Sequence, residues 1–231
     1  MSYVNFFANY DQVNSFPKPQ SASKFIPDYF KSCPQQIGDN PLDGTVKRCV
    51  PFLDALTKGF VIPLWADCRV VAKDENINIQ FPPNLNMSES ISTHTYEQIA
   101  DHPLSNNKYG KVPLKWINPW VIETPKGYSC LITSPLNHME NRFKILDGIV
   151  DTDTYYNQIN FPFLWTGGDG EFMLSKGMPL VQVIPFKRET FTSQIKETDE
   201  RKLSMVNSRL GTVLRHGYRT MFWNKKQESN S

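Results

Sequence analysis

Residues 148–163 read GIVDTDTYYNQINFPF. A short apolar run, Ile149-Val150, enters a polar stretch holding Asp151 and Asp153, and Phe161-Pro162-Phe163 leaves it. Brief apolar runs on either side of a turn-forming stretch are the texture of one strand ending and another beginning. The same texture recurs on both sides. Upstream are LKWINPWVIETP, a turn at Lys126-Gly127, YSCLITSP, the loop LNHMENRF and KILDGIVD. Downstream are INFPFLWT, the turn GGDGE, FMLSKGMP with a turn at Lys176-Gly177, and LVQVIPFKRETF. Short strands punctuated by Gly and Pro turns predict an antiparallel sandwich or barrel.

Composition agrees. The chain of 231 residues has 17 prolines against 12 glycines, and proline breaks helix interiors and central strands. Its 15 Phe, 9 Tyr and 5 Trp favour half-buried β-surfaces. A net charge of +2 is too small to indicate a nucleic-acid or membrane partner. No apolar run approaches the ~18 residues of a membrane helix. The start, MSYVNFFANYDQVNS, lacks the basic-then-apolar order of a secretory signal. Cys33, Cys49, Cys68 and Cys130 are scattered with no CxxC pair, which reads as structural thiols rather than a zinc site or a disulfide scaffold.

Outside this block the texture changes. Residues 1–44 are broken by prolines and polar residues, and are expected to form an irregular arm draped over a core or a neighbouring subunit. Within them SKFIPDYFKSCP suits a short helix, with Pro27 early and Pro34 at its end. The main β domain is expected over 45–192. It opens with a short helix around FLDALTKG capped by Gly59, then strands in FVIPLWADCRVVAK and, after an Asp-Glu-Asn turn, INIQF. Residues 84–113 read as a long polar excursion with surface histidines His94 and His102. A C-terminal helix is expected over 193–226, with Leu203, Val206, Leu210 and Val213 on one face, packed on its own domain or on another subunit. The tail 227–231 is expected to be disordered.

The block from Pro119 to Glu189 resembles the dUTPase and dCTP deaminase superfamily. TPKGYSCLITSPLN resembles its strand–turn–strand and substrate loop, GIVDTDTYYNQINFPF its catalytic-aspartate segment, and LSKGMPLVQVIPFKRE its closing strand, in that order. The resemblance implies a mainly β fold: a distorted barrel or jelly-roll-like sandwich of short strands, assembled as a homotrimer with sites between subunits. It places the catalytic carboxylate at Asp151 and ligand-binding candidates at Ser134, Tyr155 and Gln182; Asn137 in the same loop as Ser134, and Asp153 beside Asp151, join them as ligand-binding candidates. Over nearly its full length the chain also resembles an uncharacterised family of tailed phages, notably those of marine cyanobacteria. That implies a place in the host cytoplasm or the virion and partners among phage or host proteins.

The departures from the superfamily pattern decide what to expect of function. A triphosphate needs cations to pair its charges. The aligned loop TSPLNH has Ser134 but no arginine, Tyr156-Asn157 stands where the superfamily has Arg-Gly, and the glycine-rich C-terminal motif is missing. Lys187 and Arg188 read as a solvated strand end or a small basic patch, and His138 as an exposed loop residue. The primary expectation is a non-enzymatic assembly or binding module of a phage. The alternative is a nucleotide-processing enzyme, a dNTP pyrophosphatase or deaminase, with Asp151 as its central carboxylate and Mg²⁺ as helper. Asp151 and Asp153 as a pair could also hold a divalent cation through oxygen ligands, against the commonplace reading of aspartates capping a turn's amides; no dedicated metal site is implied. A carbohydrate- or small-ligand-binding sandwich is a third reading, drawn from the aromatic content.

Overall fold

The computed structural model describes residues 3–40, 43–85, 87, 89–98, 108–109, 113–212 and 217–225. The fold is mainly β, with every strand pair antiparallel. In chain order the strands are β1 (Asn5–Phe7), β2 (Gln20–Ser21), β3 (Phe60–Pro63), β4 (Cys68–Lys73), β5 (Asn76–Gln80), β6 (Ile91–Thr93) and β7 (Leu114–Trp116), then β8 (Val121–Glu123), β9 (Tyr128–Thr133), β10 (Phe143–Ile145), β11 (Gly148–Val150), β12 (Phe161–Trp165), β13 (Gly170–Leu174) and β14 (Pro179–Lys187). The helices are α1 (Tyr10–Ser15), α2 (Asp28–Ser32), α3 (Val50–Thr57), α4 (Glu200–Thr212) and α5 (Gly217–Met221).

The strands form sheets ordered β11-β9-β14-β3-β2, β10-β12-β7-β6, β13-β4-β5 and β1-β8. Strand β14 changes partner along its length. Its first half pairs with β3 from Pro179 to Val183, and its second half with β9 from Gln182 to Lys187. Pro185 lies past the last β3 rung, so the amide it lacks would have had no partner there.

Alternation sets the inner faces. In β4 the buried residues are Cys68, Val70 and Ala72, with half-buried Arg69 and Val71 between them. The core gathers Trp65, Trp116, Trp165, Phe161 and Phe163, all fully buried. Trp116 stacks on Phe163 at 4.7 Å and meets Trp65 and Phe143 edge-on at 6.1 and 5.9 Å. Such pairs add to the area they bury. Cys68 and Cys130 are buried free thiols, as structural cysteines should be, and burial pushes Cys68 up to about 12.

The N-terminal segment expected as an irregular arm is stitched into the sheets. Strand β1 pairs with β8, and β2 extends the five-stranded sheet beside β3. Its short helix is divided at Ile26-Pro27, because proline disfavours helical backbone in the residue before it: a 3₁₀ turn covers Ala22–Phe25 and α2 starts at Asp28. FVIPLWADCRVVAK yields β3 and β4 in different sheets, and the turn after β4 uses left-handed Asp74 and Glu75. The C-terminal helix is present as α4 and α5. His102, Val213 and the tail 227–231 lie outside the described residues. No helix among the described residues is long and apolar enough to cross a membrane.

Gly59 joins α3 to β3 with φ +71°, and its carbonyl accepts the Ala22 N–H at 3.0 Å. A Cβ there would collide with the Val183 carbonyl oxygen. We therefore expect Gly59→Ala to lower stability by more than ~2 kcal/mol, combining the left-handed backbone penalty with displacement of β14. Chemical denaturation of the two proteins measures it; an unchanged midpoint would contradict this account.

Candidate functional site

The aspartate turn hangs on a buried threonine. Thr152 is buried, and its hydroxyl lies 2.7 Å from that of Thr124 and 3.3 Å from the Cys130 sulfur. The Thr124 N–H also donates to the Thr152 carbonyl at 3.3 Å. With Thr152 anchored inward, Asp151 and Asp153 flank it at the strand ends, Asp151 open to solvent and Asp153 enclosed. The Asp151 carbonyl accepts from Thr154 and Tyr155 N–H at 3.1 and 2.9 Å, which closes the turn.

Arg188, at the end of β14, holds both carboxylates. Its guanidinium donates to Asp153 Oδ1 and Oδ2 at 2.9 and 2.5 Å and lies 3.1 Å from Asp151 Oδ1. It also donates to the Tyr128 carbonyl and Ser129 Oγ at 3.0 and 3.1 Å. Ser129 Oγ donates to Asp151 at 2.6 Å, and the Gly127 N–H to Asp153 at 2.7 Å. The Asp153 side chain is only 2% exposed, whereas that of Asp151 is 61% exposed. The Arg188 hydrogen bonds, followed by that of Gly127, hold the Asp153 carboxyl down at about 2. Arg188 is in turn pushed above its ordinary range, first by Asp153. Arg188, read from sequence as a solvated strand end or phosphate-facing patch, is instead the ionic centre of this corner. Nothing in the local sequence signals the pairing, because the partners lie 35 residues apart.

The remaining sequence-predicted residues lie elsewhere. Val150 of β11 is opposite Cys130 of β9, so Asp151 sits at the Ser129 end of that strand. Ser134 follows the other end of β9, ~17 Å away at the usual rise per residue. Ser134 Oγ accepts the Ile145 N–H at 3.1 Å. Asn137 adopts left-handed backbone, φ +58°, and its carbonyl accepts the Tyr29 hydroxyl. With His138, Glu140 and Lys144 these residues line a cavity of about 190 Å³. His138 is half-buried there rather than exposed, and burial lowers its pKa, which favours the neutral imidazole.

Gln182 is 1% exposed. Its Oε1 accepts the Leu136 N–H at 2.7 Å, and its Nε2 donates to the Ala55 and Lys58 carbonyls at 3.0 and 2.6 Å. Both ends of the amide thus tie the loop after β9 to α3. Tyr155 is half exposed, and its hydroxyl accepts a long bond from Asn157 at 3.4 Å. Within one chain, Asp151, Asp153 and Tyr155 therefore form one group and Ser134, Asn137 and Gln182 another, at opposite ends of β9. Among the described residues, no three His, Cys, Asp or Glu side chains are grouped to hold a metal ion.

No protein-family model matches the chain, and no curated protein matches it. Solved structures that align with it include a mutant dUTPase of Staphylococcus bacteriophage 80alpha with dUpNHpp, at TM-score 0.38 and 9% identity over 86% of this chain and 97% of that one. EIAV dUTPase aligns at TM-score 0.31 and 14% identity over 62% of this chain and 85% of that one. A dUTPase from phage phi11 of S. aureus aligns at TM-score 0.27 and 16% identity over 38% of this chain and 73% of that one. At TM-scores this low, the fold assignment rests on the strand pairing described above.

The clamp predicts an acid-labile corner. Asp153 has a depressed folded-state pKa, so its contribution to stability is complete above 3.8 and is lost as pH falls through about 2. Removing the guanidinium in Arg188→Ala should raise the Asp153 pKa by on the order of 1–2 units. It should also move the start of acid unfolding to higher pH, while leaving the neutral-pH fold intact. Carboxyl-carbon NMR titration of Asp153 in both proteins reads the shift, and an unmoved pKa would rule the clamp out.

Proposed function

We propose that this chain is a non-enzymatic assembly or binding module of a phage, built on a β-fold of the dUTPase kind. The observation that carries the reading is the Arg188 clamp. A general base needs a free lone pair and a pKa near the working pH. Asp153 is buried, doubly bonded to a guanidinium and held at about 2. Asp151 has one oxygen engaged by Ser129 and Arg188. The arginine that would neutralise phosphate in an enzyme is here neutralised by the protein's own carboxylates.

The test is direct. The protein incubated with dUTP or dCTP and Mg²⁺ should release neither pyrophosphate nor ammonia above a buffer blank. Turnover that disappears in Asp151→Asn would overturn the reading and establish the nucleotide-processing alternative.

Assembly is supported by the C-terminal segment. From Phe186 to Gly211 every residue is exposed except the half-buried Val206, and the exposed set includes Phe191, Ile195, Leu203, Met205 and Leu210. An isolated helix of 13 residues such as α4 is marginal in water, and its apolar stripe gains stability only from a second surface. We assign that surface to further copies of this chain, in a homotrimer. Light scattering behind size exclusion should give a trimer mass for the full chain and a monomer mass after deletion of residues 190–231. A full-length monomer at micromolar concentration would refute the assignment.

A further inference from the structure

A second recess lies apart from the cavity beside Ser134. It is an open cleft of about 430 Å³ where β1 ends. Phe7 closes the β1–β8 pairing opposite Val121, and Val121 is bridged on its other side by Gln158. The rings of Phe7 and Tyr156 meet here at 5.6 Å, tilted by 56°. Tyr156 is 63% exposed, a large aromatic surface left in water.

Gln12, on α1, lines the same cleft and is only 8% exposed. Its backbone N–H is held by the Asn9 side chain at 2.9 Å and its carbonyl accepts from Phe16 at 2.9 Å. Its side-chain carboxamide has no hydrogen-bond partner among the described residues. Among the described residues the polar side-chain atoms fully shut off from solvent without a partner are the indole nitrogens of Trp65, Trp116 and Trp120, so the Gln12 amide keeps access to the cleft and can exchange water there for a ligand. Three further amides border the cleft. Asn9 caps α1 through Oδ1, Asn157 Oδ1 accepts the Gln158 N–H at 2.8 Å, and Gln158 reaches the Pro119 carbonyl at 3.5 Å.

The lining selects the ligand. None of the residues around the cleft is charged, so nothing there would pair a phosphate or a carboxylate. A base sandwiched between two rings needs them parallel and about 7 Å apart, twice the ordinary aromatic stacking distance; Phe7 and Tyr156 are tilted and in contact. A peptide added as a strand needs a free edge, and at Val121 the backbone is paired by Phe7 on one side and bridged by Gln158 on the other. What fits is a neutral ring with an apolar face for Tyr156 and adjacent hydroxyls that both give and accept hydrogen bonds to a carboxamide.

We propose that this cleft binds a neutral saccharide, with Gln12 bonding a pair of neighbouring hydroxyls and Tyr156 covering the sugar's apolar face. The proposal rests on the binding-module reading and names its ligand class. Saturation-transfer NMR and calorimetry on the full chain would use maltotriose, cellotriose, lactose and N-acetylchitotriose as probes. At least one should bind, and Gln12→Ala and Tyr156→Ala should each weaken it by about tenfold or more. Tyr156 is exposed, so its variant retains the fold and keeps the test decisive if Gln12→Ala does not. Binding by none of the four sugars, or binding that Tyr156→Ala leaves unchanged, overturns the proposal. So does a proline-rich peptide or dUMP that perturbs the same cleft residues while the sugars do not. These results are read separately from nucleotide turnover, so an empty cleft with no turnover removes the sugar and leaves the non-enzymatic reading standing.

Discussion

Strand β14 is the constraint on which the rest of the structure depends. It joins two strand pairs that are not hydrogen-bonded to each other, β3–β2 and β9–β11, by pairing with one along its first half and the other along its second. The overlap is only Gln182 and Val183. Gln182 reinforces that junction from the side chain, linking the loop after β9 to the end of α3. Gly59 permits the approach of the α3–β3 turn to Val183 at the same level. Five residues further on, Arg188 closes the far end. A strand that changes partners has few rungs to spare on either side, so side-chain bonds at its junction and its terminus carry unusual weight.

Much of this architecture was legible in the sequence because it is written locally. Gly and Pro turns bracket apolar runs, and those runs became β8, β9, β12, β13 and β14 close to where they were expected. The helix over Val50–Thr57 and its glycine cap followed from the same rules. What was not legible depends on distance along the chain. The entry of residues 5–7 and 20–21 into sheets needs partners at 121–123 and 60–61, which no local pattern around the N-terminal prolines announces. Arg188 looked like one residue of a basic strand end, since its partners come from the turns at 127–129 and 151–153. Gln12 carries no signal in the sequence; only folding reveals that it lies largely covered at the edge of a cleft.

The candidate site shows why a well-placed aspartate is weak evidence of chemistry. Superfamily resemblance puts Asp151 where a catalytic carboxylate would stand, and the turn around it is indeed well formed. Yet both carboxylates of the corner already have partners within the protein. One guanidinium faces two carboxylates, it also donates to the Tyr128 carbonyl and Ser129 Oγ, and a backbone amide fills a further acceptor on Asp153. The same residue types that could grip a phosphate thus engage one another, and a turn of this shape does not by itself carry an activity.

That closed corner has a mechanical consequence. The Arg188 N–H donates to the Gly127 carbonyl at 2.8 Å, the last backbone hydrogen bond to the β-structure among the described residues before the chain runs, fully exposed, toward α4. The backbone and side chain of Arg188 are therefore fixed to the same two turns, the one by Gly127 and the other by Asp153. A clamp at this position sets the point and the direction in which the C-terminal segment departs. The far end of that segment returns to the domain, where the Trp223 indole N–H donates to the Asp54 carboxylate at 3.0 Å.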